Sequence, residues 1–410
     1  MKPSLDKRSS QRLRFISLGI VFFVFIYVAL CILLPLPALK ANVDSVTLRL
    51  KAPPAHLPWP SYGEAAVGMV GAGLTQTYGK QTPLPTASVA KLITALAVLT
   101  KYPLSTGQQG PFITLDATDY GYYTSYIAEQ GSVVPVYSGE QLSEYQMLQA
   151  MLVPSGNNIA DSLARWAFGS IANYDTYANS FVHKLGMTHT SVGGDASGFS
   201  PLTTSTASDL IILGSKVMAS PLLSQIVGSK SVFVPNVGTL NNYDNILGSD
   251  GIIGIKTGNS NQDGGVFLSA STANVNHKTV TLLTAIMGAP SLKNALNDSL
   301  PLVAALQHSF MQSVLLNQSE ILGEYRQPWG GTIQFTSSHN LSLFSLPAQT
   351  QSAKLYITPL KVPSMRGALV GSISVPANQL NDALSLPLVT LQPTTKPTLL
   401  WRLLHPTAFF

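Results

Sequence analysis

The apolar and polar positions divide the chain into three textures. Phe15 to Leu34 is an uncharged run that includes Ile20-Val21-Phe22-Phe23-Val24-Phe25-Ile26, and about 20 such residues are enough to cross a bilayer as a helix. From about residue 61, helical and strand-like patterns are mixed. Ala65 to Val70 and Thr75 to Tyr78 read as a hairpin around Gly71-Ala72-Gly73. An apolar helix starts at Ser88. Residues 103–141, rich in Gly, Tyr, Ser and Thr, read as loops and short strands. Ser143 with Gln146 forms a capping box, and Leu142 with Met147 a staple, ahead of a helix that Pro154 stops. Further helices are expected over Asn157 to Phe168, over Tyr174 to Leu185 with Gly186 as C-cap, and over Asp209 to Met218. Strand patterns follow at Val232-Phe233-Val234, Ile252 to Ile255, Gly264 to Ala270 and Val280 to Ile286, then a helical stretch over 291–314. Strands that return late, after a run of helices, predict an α+β fold. Beyond about 320, short segments such as Thr332 to Phe335, Ala353 to Ile357 and Leu369 to Val375 alternate with polar turns, as in a small all-β module.

Composition changes this picture in two places. The 410 residues are 45% hydrophobic and only 10% charged, with a net charge of +5. Lys2, Lys7, Arg8, Arg12 and Arg14 against Asp6 put four of those charges before the apolar run, so the basic balance reports a tail and gives no reason to expect nucleic acid. Positive charge ahead of the span predicts a cytoplasmic N-terminus and an exported bulk. The length of the run, with a poor cleavage site at Leu39-Lys40-Ala41, favours an uncleaved anchor over a cleaved signal. The expected layout is a basic tail at 1–14, a transmembrane anchor at 15–35, a Pro-rich stalk at 36–60, a folded unit at 61–315, an all-β domain at 320–395 and a tail at 396–410. The single cysteine, Cys31, lies inside the span. The exported part therefore offers no thiol for catalysis, disulfides or zinc.

Between Ser88 and Thr100 the only charged residue is Lys91. Three residues apart on a helix, its amine reaches the Ser88 hydroxyl. Burial disfavours a charged lysine, so a neutral amine able to take the serine proton is expected. Two further motifs follow in order. Ser155-Gly156-Asn157 stands at a break between helices, and Gly254-Ile255-Lys256-Thr257-Gly258 on a strand bounded by glycines. Other candidates carry less. His183 and His189 lack an H-E-x-x-H pattern and read as ordinary histidines. Tyr120, Tyr122, Tyr123, Tyr126 and Tyr137 read as packing a loop-rich region rather than lining a groove. Asp209 reads as structural.

In the order S-x-x-K, S-x-N, K-T-G, the chain resembles the penicillin-recognising serine acyltransferases, and among them the low-molecular-mass penicillin-binding proteins, the D-alanyl-D-alanine carboxypeptidases. The resemblance covers roughly residues 60–300, and the trailing β module matches the usual layout. It implies a helical subdomain packed on a five-stranded antiparallel sheet, β-lactamase/transpeptidase-like, with the all-β C-terminal domain behind it and the site between helices and sheet. By resemblance, Ser88 is the nucleophile, Lys91 its base and Ser155 a proton relay. Asn157 holds the substrate peptide amide, and Lys256, Thr257 and Gly258 bind its terminal carboxylate. The backbone N–H groups of Ser88 and Asn259 form the oxyanion hole. Neither metal nor cofactor is implied. The partners are peptidoglycan stem peptides, with β-lactams as covalent inhibitors, and the membrane through the N-terminal helix. Asn259-Ser260 and Gly264-Gly265 depart from the family's usual flanking residues, which bears on substrate preference. Class A β-lactamases deacylate with a glutamate between the second and third motifs, and none occurs between Ser155 and Lys256. The expected activity is D,D-carboxypeptidase. The alternatives are an endopeptidase on cross-links and an inactive wall-binding protein.

Overall fold

The computed structural model describes residues 7–42, 45–260 and 264–409. Residues 1–6 of the expected basic tail, 43–44 of the expected stalk and Phe410 lie outside them. Helix α1 (Lys7–Leu33) carries the apolar run, and its Gln11–Leu33 portion is long and apolar enough to cross a membrane. Its large side chains from Leu13 to Phe25 are exposed. The chain forms two compact units. One is Ala52–Gln312 with Phe344–Gln349, and the other gathers the segment up to Lys51 with Ser313–Leu343 and the chain from Thr350 onward.

The larger unit is built on an antiparallel five-stranded sheet. Its strand order is Ile252–Ser260, Gly264–Val275, Lys278–Ala289, Glu64–Met69, Gly73–Tyr78. The other elements are α2 (Lys91–Lys101), α3 (Ala117–Ala128), α4 (Glu144–Leu152), α5 (Asn157–Phe168), α6 (Ile171–Leu185), α7 (Ala207–Met218), α8 (Pro221–Val227) and α9 (Leu292–His308). Helix α5 packs against α2, α3, α4 and α6, whereas α7 and α9 lie on the sheet. One apolar core runs through both layers, from Leu92, Leu148, Ile159 and Leu163 to Leu210, Ile255, Leu268 and Leu283. Helix ends follow the sequence signals. Ser143 accepts from Gln146 N–H while the Gln146 side chain accepts from Ser143 N–H, and Gly186 closes α6 at φ +91°, where a Cβ would be strained.

Three expectations are corrected. Residues 103–141 contain α3, opened by a reciprocal Asp116/Asp119 capping box. Only Asp119 and Tyr126 of this helix are buried, so no apolar stripe betrays it. Helix α8, which Pro221 opens, is an addition to the expected elements. The helix expected over 291–314 ends at His308, and Met311–Leu316 is a strand. The expected stalk is structured: Ser45–Lys51 pairs along Thr350–Ile357. Its Thr47-Leu48-Arg49-Leu50 alternation is a strand signal masked by the prolines that follow. Residues beyond it join the larger unit, where the Gln76 side chain exchanges two hydrogen bonds with the Ala55 backbone and Trp59 stacks on Tyr78 at 5.9 Å.

The second unit holds a six-stranded antiparallel sheet. The order is Ser45–Lys51, Thr350–Ile357, Leu369–Val375, Leu384–Thr390, Thr332–Ser337, Gly323–Arg326. Tyr325, Phe335, Leu355, Val370 and Ile373 fill its core. Helix α10 (Leu399–Leu404) meets α1. There the Arg402 guanidinium donates to the carbonyls of Cys31 (2.8 Å) and Ile32 (2.7 Å), the side of a helix end that favours a cation.

Candidate active site

Ser88 does not cap a helix. It stands on a 3-10 turn, Ala87–Ala90, that runs directly into α2. The residue before it, Ala87, is held at φ +45°, a left-handed conformation uncommon for a residue with a Cβ. Two glycines let other segments press onto this turn. A Cβ at Gly258 would lie 2.8 Å from the Thr86 carbonyl oxygen, and one at Gly198 would lie 2.2 Å from that of Ala87. Gly198 also sits at φ +73°. Gly198→Ala is therefore expected to lower the stability of this unit by about 2 kcal/mol or more, read as a fall of about 4–8 °C in thermal unfolding. An unchanged Tm would show that the loop yields freely.

Lys91 is fully buried, and its Nζ lies 2.8 Å from Ser88 Oγ, 2.7 Å from Asn157 Oδ1 and 3.1 Å from the Ser197 carbonyl. The geometry suits a neutral amine. Its two N–H groups are taken by Asn157 Oδ1 and the Ser197 carbonyl, which leaves the lone pair directed at the serine hydroxyl. Burial drives the Lys91 ammonium well below its ordinary range, and the nearby Lys256 cation adds to the shift, against the opposing pull of Asp195 and Asp161.

Ser155, 3% exposed and at φ +62°, opens the turn before α5, and its Oγ is buried with no hydrogen-bond partner among the described residues. A strained residue with a free buried hydroxyl is a feature of functional sites. Asn157 is the first residue of α5. Lys256, Thr257 and Gly258 lie on the sheet's edge strand, which packs against the Ser88 turn. The Lys256 ammonium is buried and donates to the Thr257 carbonyl at 3.1 Å. Burial pushes it down to about 7, against the pull of Asp244.

These residues surround one cleft of about 830 Å³, lined by Ser88, Ser155, Asn157, Thr257 and Asn259. Lys91, Lys256 and Gly258 are buried next to these lining residues. Sequence reading missed part of the lining. Tyr122 and Tyr126 face the cleft rather than packing a loop region, and Asp161, Asp195 and Phe199 join them. Asp161 follows Asn157 by four residues, which places both on one face of α5 and was a usable signal. Asp195 nests its own loop: Oδ1 accepts from the N–H groups of Ser197, Gly198 and Phe199, and Oδ2 from that of Ser200. The Asp-Ala-Ser-Gly turn composition is its trace in the sequence. Asp209 accepts from His189 N–H and the Thr190 hydroxyl, away from the cleft.

A serine beside a buried amine, in a cleft with a free hydroxyl and a buried cation at the sheet edge, is equipped for acyl transfer. Residues 74–291, more than half of the chain, match the family model described as D-alanyl-D-alanine carboxypeptidase. The chain is 22% identical over 244 residues to D-alanyl-D-alanine carboxypeptidase DacA of Haemophilus influenzae, covering 57% of this chain and 61% of that relative. It is 28% identical over 193 residues to D-alanyl-D-alanine carboxypeptidase DacB2 of Mycobacterium tuberculosis, covering 46% and 62%. The matched stretch thus spans less than two thirds of either relative. Among solved structures, penicillin binding protein 5 from Haemophilus influenzae superposes with a TM-score of 0.58 at 18% identity, over 83% of this chain and 98% of that one. A D-alanyl-D-alanine carboxypeptidase from Mycobacterium tuberculosis does so with a TM-score of 0.53 at 24% identity, over 63% and 96%. At these identities the structures establish the fold.

Proposed function

The chain belongs to the D-alanyl-D-alanine carboxypeptidase family, and from that premise we propose that it removes the terminal D-alanine from peptidoglycan stem peptides through an acyl-enzyme on Ser88. The observation that carries the reading is the buried Lys91 amine, 2.8 Å from Ser88 Oγ and tied by two other acceptors. Lys91 takes the hydroxyl proton as Ser88 Oγ attacks the peptide carbonyl. The backbone N–H groups of Ser88 and Asn259 receive the oxyanion. The free Ser155 hydroxyl relays the proton to the departing D-alanine amine, and the Asn157 side chain holds the substrate amide. Lys256 and Thr257 take the terminal carboxylate, with Gly258 allowing close approach. Water then releases the shortened peptide.

A second part of the proposal concerns location. Helix α1 anchors the protein in the cell membrane with its N-terminus cytoplasmic, supported by its length, its exposed apolar side chains and the basic residues ahead of its apolar run. The larger unit and the six-stranded sheet then lie on the extracytoplasmic side, where peptidoglycan is.

Incubation of the purified protein with a labelled penicillin, followed by peptide mapping, should place one adduct on Ser88, and Ser88→Ala should not label. Because no glutamate lies between Ser155 and Lys256, the adduct should persist far longer than the acyl-enzyme of a class A β-lactamase. Release of D-alanine from a pentapeptide, beside a cross-linked dimer as comparison, separates carboxypeptidase from endopeptidase. Labelling of Ser88→Ala would sink the mechanism, and absence of any D-alanine release would sink the activity.

A further inference from the structure

Asp161 belongs to none of the three motifs, yet it stands on the helix of Asn157 and bonds to the loop of Ser197, two of the three segments that meet the Lys91 amine. It is 4% exposed and reaches the cleft one helical turn after Asn157. Its Oδ2 accepts from the Tyr126 hydroxyl of α3 at 2.7 Å, and its Oδ1 from the Ala196 N–H at 2.8 Å. The Ala196 carbonyl in turn accepts from Thr94 of α2 at 2.6 Å, and the next residue, Ser197, supplies the carbonyl that holds Lys91 Nζ. The Tyr126 ring meets Phe199 edge-on at 5.4 Å. The carboxyl is thus a pin between α3, α5 and the Asp195 loop, set where that loop grips the amine.

We propose that Asp161 and Tyr126 form a positioning pair for Lys91: the carboxylate fixes the loop carbonyl that orients the amine, and its negative charge favours the ammonium form, so the pair sets the pH above which Ser88 becomes acylated. The inference rests on Lys91 being the base.

The groups that bear on Asp161 come from each element around it. Helix α3 contributes Tyr122 and Tyr126, with Asp119 and Asp116 held by Arg165 of α5 itself. Helix α2 contributes Lys91 and α6 contributes Tyr174, while Asp175 of α6 and Glu144 and Tyr145 of α4 stand on helices packed against α5. The Asp195 loop contributes a second carboxylate. Burial pushes the Asp161 carboxyl up to about 7, and Asp195 pushes the same way, while the hydrogen bonds from Tyr126 and Ala196 and the Lys91 charge pull it down. Asp161 and Lys91 therefore shift one another, the carboxylate drawing the amine's range up and the ammonium drawing the carboxyl's range down.

The sign of the effect follows. Acylation rises with pH as Lys91 loses its proton. Asp161→Asn keeps the shape but removes the anion that stabilises the ammonium, so the amine becomes neutral at lower pH. The test is the second-order rate of Ser88 acylation by a chromogenic cephalosporin, measured on the full chain from pH 5 to 9. Asp161→Asn should move the ascending limb down by up to about one pH unit, with acylation up to about tenfold faster than wild type over the pH range in which the wild-type carboxyl is ionised, and the two rates converging at pH values where it is protonated. Tyr126→Phe, which removes a hydrogen bond that stabilises the carboxylate, should move it the same way by less, and it serves as the test if Asp161→Asn does not fold. An unmoved limb in a folded variant, or a shift to higher pH, overturns the proposal. Lys91→Met separates the two readings: if that variant keeps the wild-type rate and limb, the base assignment itself fails. If it loses acylation while the Asp161 and Tyr126 variants leave the limb in place, only the positioning pair fails.

Discussion

Lys91→Met is expected to slow acylation of Ser88 by about 10²–10⁴-fold, the range set by loss of a positioned general base, while the protein still folds. The methionine chain fills the space of the lysine stem and brings no charge into a site that is fully buried. It leaves the Asn157 side-chain oxygen and the Ser197 carbonyl without the donor they share, a cost of about 1–3 kcal/mol for each buried acceptor, set against relief from burying the amine. The balance is pH-dependent in a definite direction. A lysine whose folded-state pKa is depressed contributes stability above its unfolded value, near 10.5, and loses it as pH falls through the folded value. Wild type should therefore gain stability relative to Lys91→Met as pH rises toward 10. Denaturant unfolding of both proteins at several pH values, beside acylation rates, measures this. A variant that acylates at the wild-type rate would remove Lys91 from the chemistry. One that unfolds at every pH would make its role structural.

How much of this was readable beforehand depends on where chemistry leaves a trace in residue order. Ser88 and Lys91, Ser155 and Asn157, and Lys256 to Gly258 are local patterns, so each was visible as a motif, and the strands and helices that bring them together were visible from periodicity. Helix α3 was not, because it turns only Asp119 and Tyr126 inward and its capping box uses two aspartates rather than the Ser/Thr and Glu/Gln of the usual signature. With α3 went the tyrosines of the cleft wall. The Ser45–Lys51 strand was hidden differently. Its partner, Thr350–Ile357, lies some 300 positions away, and nothing local distinguishes a strand bound to so distant a neighbour from an extended stalk. Ser197 is the sharpest case, because its contribution to Lys91 is a backbone carbonyl, which every residue possesses.

Lys256→Met should lower kcat/KM for a peptide ending in a free carboxylate by about 10²–10³-fold, the scale of removing one partner from a buried, charge-assisted contact. The same peptide ending in an amide should be affected far less, so the variant should lose most of the wild-type preference for acid over amide. A purely structural role predicts equal losses for both. A second signature belongs to Lys256 alone. Its cation is the second cause, after burial, that holds the Lys91 amine below its ordinary range. Without it the amine binds its proton more tightly, and the ascending limb of acylation should move to higher pH, opposite to the shift expected for Asp161→Asn. Lys256 is itself pushed down to about 7 by burial, so in the empty site part of the population is neutral, and an arriving carboxylate draws a proton onto it. Substrate binding then raises the charge on Lys256 and disfavours an ammonium at Lys91. On the proposed mechanism, the carboxylate that marks the right substrate thereby readies the base that activates Ser88. Acylation by an amide-capped peptide should consequently show a limb at higher pH than acylation by the acid in wild type, and no such difference in Lys256→Met. Coincident limbs for acid and amide in wild type would disconnect the two lysines.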